Sequence, residues 1–136
     1  MNSRRVKLYS IKKNIELLGF RREADQLKSE LDRLNKRIEQ VAELEAGYKQ
    51  QLAMPEMSAT EYMTIIDIFH RLSERRRLDQ ARYDMLETER SRLTGIVISK
   101  KREVEKLEDQ AKSMAIQERE EKQEIADRMM PAPRPR

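Results

Sequence analysis

The chain has 136 residues, of which 40% are charged and 4% aromatic, with three glycines and no tryptophan. So few large apolar side chains exclude a multilayered core, and the length allows one domain. The 29 basic residues outnumber the 25 acidic ones so slightly that net charge by itself points to no partner.

The absence of cysteine excludes disulfides and thiolate metal sites and fits a reducing compartment. No apolar run approaches the roughly 20 residues of a membrane helix. The basic start is interrupted by Lys12, Lys13 and Asn14, so no signal peptide is expected and a cytosolic protein is. Abundant Glu, Lys, Arg, Leu and Gln in helical periodicity marks a coiled coil or long helix.

Residues 3–22 carry Arg4, Arg5, Lys7, Lys12, Lys13, Arg21 and Arg22 against one acid, Glu16. Within them Leu8, Ile11, Ile15 and Leu18 step by three and four, which predicts an amphipathic helix around a packed stripe. The alternative for this basic opening is contact with an anionic surface, membrane or nucleic acid. From Leu17 a heptad seam continues through Phe20, Ala24, Leu27, Leu31, Leu34, Ile38, Val41, Glu45 and Tyr48. The change of phase near Leu18 reads as a stutter, with Gly19 a soft point beside it.

A turn follows at 54–57. Pro55 has no amide hydrogen and biases Met54 away from helical dihedrals, so the first helix, about 3–53, stops there. Ser58-Ala59-Thr60-Glu61 then has the form of a capping box and opens a second helix, about 58–130. Its seam runs Tyr62, Ile65, Phe69, Leu72, Arg76, Asp79, Tyr83, Leu86, Arg90, Leu93, Val97, Lys100, Val104, Leu107, Ala111 and Met114, with four polar intruders. The fold class is therefore all-α: two long helices in an antiparallel coiled-coil hairpin, residues 1–130, followed by a disordered Pro/Arg tail at 131–136.

Matching the two seams layer by layer sets Tyr48 opposite Tyr62, Val41 opposite Phe69, Ile38 opposite Leu72, Leu27 opposite Tyr83 and Val6 opposite Val104. In that register Arg76 meets Leu34 and Asp79 meets Leu31. The first helix is then exhausted near Val104, and residues 107–130 overhang without a partner for roughly 35 Å. Alone, such a helix is marginal in water.

The sequence holds no phosphate loop, no nucleophile with a base, no paired carboxylates and no metal-ligand cluster. His70, with Glu74 one turn on, reads as a surface histidine beside Phe69. No catalytic residue, cofactor or metal is expected. Arg75-Arg76-Arg77 could meet phosphates, but acids are spread among the bases and no reading motif appears. The turn is the more informative place. Tyr48, Leu52, Met54, Met57, Tyr62, Met63, Ile65, Ile66, Ile68 and Phe69 crowd around it, more apolar surface than two helices can bury. That predicts either a docking site or a locally packed tip.

Gly47-Tyr-Lys-Gln-Gln-Leu52, Met57-Ser-Ala59, Ile68-Phe-His-Arg-Leu72 and Gln117-Glu-Arg-Glu-Glu-Lys-Gln123, with the Met-rich, Pro-Arg end, make the chain resemble the FliJ proteins of bacterial flagellar type III export. The resemblance implies a non-enzymatic stalk with an overhanging C-terminal helix, a monomer in isolation, cytoplasmic and peripheral at the inner membrane. Its implied partners are the export ATPase hexamer, the export gate and export chaperones, with no nucleic acid. Carried onto this chain, the gate-facing patch is Val41, Leu44, Tyr48, Ile68, Phe69 and Leu72. The opposite end, the basic opening together with the overhang of Leu107, Ala111, Met114 and Ile125, would be the part that enters the ATPase. The stalk protein of virulence secretion has the same layout, and a generic coiled-coil scaffold or a weak nucleic-acid binder stands beside both.

Overall fold

The computed structural model describes residues 2–130; the tail expected at 131–136 lies outside them. It contains two helices, α1 (Ser3–Leu52) and α2 (Ala59–Met129), which pack against each other, with no strand among the described residues. The chain divides into two compact units. Among the described residues one joins 2–21 with 95–130, and the other is Arg22–Thr94.

The turn lies in the second unit and forms for the reasons the sequence supplies. The last turn of α1 tightens, as the Ala53 and Met54 amides donate to the Gln50 and Gln51 carbonyls at 3.2 and 3.1 Å. Pro55 follows and cannot extend the ladder. The Ser58 hydroxyl then accepts from the Glu61 amide at 3.1 Å and caps α2. Only this half of the capping box forms among the described residues.

The register within this unit differs from the sequence expectation by one heptad. Asp79 meets Arg37, one residue before Ile38, instead of Leu31. Arg76 meets Glu45, a turn beyond Val41, instead of Leu34. A slip of a whole heptad keeps a positions opposite d positions, so the apolar layers tolerate either offset. The buried polar groups do not. Asp79 and Glu45 are only 4% and 7% exposed, and the observed offset gives each an arginine across the seam, where the expected one set Asp79 and Arg76 against leucines.

The first unit shows the same offset. The Glu118 carboxylate accepts from the Ser3 amide at 2.9 Å and from the Ser3 hydroxyl at 2.6 Å. Asn2 Oδ1 accepts from the Arg5 amide at 2.9 Å and serves as the cap of α1. Glu118 thus places a second-helix charge at the positive end of α1. Pairing therefore runs about two turns past the point where the sequence register ends it. Ala111 is buried, and Leu107 and Met114 are half-buried. The partnerless part of α2 shortens to 119–129, a helix of roughly 16 Å whose side chains are all exposed.

The seam of this unit is also not the one the N-terminal spacing suggested. Val6, Ser10 and Leu17 are buried with Lys13 half-buried, in unbroken heptad phase, so α1 has no stutter. Leu8, Ile11, Ile15 and Leu18, expected to be the packed stripe, are 58%, 49%, 65% and 51% exposed. Seam positions there carry Ser10 and Lys13, so apolar spacing alone selected the opposite face.

Candidate functional site

Around the turn, α1 and α2 bring together a cluster of apolar side chains that the seam only partly uses. Tyr48, Leu52, Ile65, Phe69 and Leu72 are half-buried along it. Leu44, Met54, Tyr62 and Met63 are exposed, Met63 by 67%. His70 is exposed as well, and its ring meets that of Phe69 edge-on, with centroids 6.3 Å apart.

One flank of the seam explains how this apolar surface arises. Glu30 and Arg82 face each other across the flank at 2.5 Å. One heptad nearer the turn, Arg37 and Arg75 occupy the same positions and both approach Asp79, at 2.6 and 3.6 Å. One heptad further, the equivalent pair is Leu44 and Ile68. The flank changes from charged to apolar on reaching the turn, and among the described residues no ion pair closes it there.

The six residues assigned to a gate-facing patch therefore divide. Leu44 and Ile68 form the flank pair, and Leu44 is open to solvent. Tyr48, Phe69 and Leu72 are shared between the seam and the surface. Val41 is buried in the seam, which leaves it little to offer a partner. Met54, Tyr62 and Met63 are also exposed at the turn and lie outside the patch assignment. Met63 sits in the first turns of α2, where residues 59–64 are all exposed.

The assigned overhang divides too. Ile125 is exposed on the partnerless turns, but Leu107, Ala111 and Met114 belong to the paired part of α2 and are not overhang residues. The heptad offset accounts for this correction, since it supplies α1 partners as far as Glu118.

The polar groups beneath the cluster are unevenly satisfied. Arg37 grips Asp79 with two hydrogen bonds, Nε to Oδ2 at 2.9 Å and Nη2 to Oδ1 at 2.6 Å. Glu45 is held less well. Arg76 Nε lies 2.8 Å from its Oε1, yet that oxygen is buried with no aligned hydrogen bond. The Ser73 hydroxyl donates to the other oxygen at 3.5 Å.

At the far end of α1, the hydrogen bond from the Ser3 hydroxyl, followed by that from the Ser3 amide, holds the Glu118 carboxyl below its ordinary pKa. A carboxylate with a lower pKa folded than unfolded adds stability at neutral pH and loses it as the pH falls through its folded value. Glu118→Gln is expected to lower the melting temperature at neutral pH. The difference from the parent should shrink in acid below the ordinary carboxylate range. Thermal melts followed by circular dichroism at the two pH values check this, and an equal difference at both would remove the ionic part of the cap.

Among the described residues no helix is long and apolar enough to cross a membrane. No family model, curated protein or solved structure matches the chain.

Proposed function

We propose that the chain is a non-enzymatic stalk and chaperone-escort component of a type III export apparatus, as its resemblance to the FliJ proteins implies. The observation that supports this most is the exposed apolar surface at the turn, from Leu44 and Tyr62 to Met63, beside a seam whose buried acids already have arginine partners. Such a pair of helices does not need a second copy to satisfy its charges, while the turn retains surface for docking. In this reading the turn, with Leu44, Tyr48, Ile68, Phe69, Leu72 and Met63, contacts the export gate. The partnerless turns around Ile125 enter the ATPase hexamer, which supplies the burial they lack. The protein then works as a monomer in the cytoplasm, at the inner face of the inner membrane, and carries export chaperones.

The test is co-purification with the export ATPase of the same cell, comparing the full chain with a chain truncated after Glu118, which keeps the Ser3 cap. Binding by the full chain, weakened at least about tenfold on truncation, is the expected result, because loss of Ile125 and its neighbours removes apolar contact area. No binding by the full chain, together with a stable dimer in light scattering, would instead make it a coiled-coil scaffold.

A further inference from the structure

The basic opening of α1 holds a second apolar surface, distinct from the one at the turn. Leu8, Ile11, Ile15 and Leu18 are all about half exposed or more, and with the seam on Val6, Ser10, Lys13 and Leu17 they lie on the face of α1 away from the seam, Ile11 at its edge beside the groove shared with α2. The stripe is therefore available while the helices remain paired.

Its surroundings are basic. Arg4 stands on the same line, one turn before Leu8, and Lys7 and Lys12 border the stripe on opposite sides. Among the described residues none of these three makes an ion pair. The one acid in this part of α1, Glu16, is engaged elsewhere, 3.6 Å from Lys13 and 3.7 Å from Lys100 across the seam. Glu108 of α2 lines a groove with Arg4, Lys7 and Ile11 but neutralises neither base by an ion pair.

We infer that this face of α1 docks in the plane of an anionic lipid surface, with Leu8, Ile11, Ile15 and Leu18 entering the headgroup boundary and Arg4, Lys7 and Lys12 meeting lipid phosphates. Two weak contributions combine in such a contact, apolar burial and attraction to negative headgroups, and either alone is insufficient for stable binding. A duplex nucleic acid would use the bases and leave the stripe idle. A second copy of this face would bury the stripe but set its bases against one another. The lipid surface uses both, and this contact stands independently of any ATPase.

The test is co-sedimentation of the full chain with vesicles of phosphatidylcholine alone and with about a third phosphatidylglycerol. Two variants accompany it, Leu8→Gln with Ile15→Gln, and Arg4→Glu with Lys12→Glu. All four side chains are exposed, so both variants should melt like the parent. The parent should bind only the anionic vesicles, and each variant should lose about tenfold or more in partitioning. Three results would overturn the inference. The parent does not bind. The glutamine variant binds as well as the parent while both bind DNA duplex equally, which makes the contact purely ionic. Or the glutamine variant converts a dimer to a monomer in light scattering, which makes the stripe a self-association face.

Discussion

Arg37→Leu is expected to destabilise the protein by about 2–3 kcal/mol, whereas Asp79→Leu should leave it equally stable or raise its stability by about 1 kcal/mol. The asymmetry follows from burial. The Asp79 side chain is 5% exposed and that of Arg37 43%. Removing the arginine leaves a carboxylate in the seam with only Arg75, at 3.6 Å, to offset its lost hydration. Removing the aspartate lets the arginine turn into water and puts an apolar side chain on a seam position. Urea denaturation monitored at the helical signal gives both values, provided the slope with denaturant is unchanged. If the two substitutions cost the same, the pair acts as a symmetric surface bridge and the burial argument fails.

The double substitution Glu45→Leu with Asp79→Leu should be more stable than the parent, by about 1–3 kcal/mol, and less specific. It removes a poorly satisfied buried oxygen at Glu45 and the buried charge at Asp79. It also removes the buried charges that favour the observed register over the one displaced by a heptad, because the apolar layers fit both. Polar groups in a coiled-coil seam hold register at a cost in stability, and here the cost is carried by these two acids. The expected outcome is a higher urea midpoint together with doubled amide resonances for residues near Ile38 and Tyr83. A single set of resonances would mean that loop closure at the turn, not the acids, selects the register.

These expectations show which parts of the structure were legible in the sequence. The two helices and their boundaries follow from local chemistry, Pro55 for the stop and Ser58 for the start, and the structure places both within a residue or so of the expectation. The register is not local. Matching apolar layers rewards any whole-heptad offset, and it treats Arg76 and Asp79 as intruders when they are the residues seeking partners. Arg37, which decides the matter for Asp79, lies beside the seam and escapes a search confined to seam positions. The N-terminal stripe failed for a related reason. Leu8, Ile11, Ile15 and Leu18 have faultless helical spacing, but spacing identifies a face without saying which partner it meets. The small and polar Ser10 and Lys13 conceal the face that packs.

The apolar surface at the turn was visible as an excess of large side chains over what two helices can bury. Its division between seam and surface needed the register. Once Glu30 and Arg82 are known to face each other, Leu44 and Ile68 follow as the same pair two heptads on. The sequence register would have set neither beside the other.

The register is therefore the claim on which the rest depends, and disulfide trapping tests it most directly. The chain has no cysteine of its own. Tyr83→Cys would be combined once with Leu34→Cys, its partner in the observed register, and once with Leu27→Cys, its partner in the register displaced by a heptad. The two α1 positions lie roughly 10 Å apart along the helix, beyond the tolerance of a disulfide. Rapid oxidation of the pair at 34 and 83, with the pair at 27 and 83 remaining reduced, is the result this account predicts. Preferential closure between 27 and 83 would contradict it, and with it the role given to Arg37, Glu45 and Asp79.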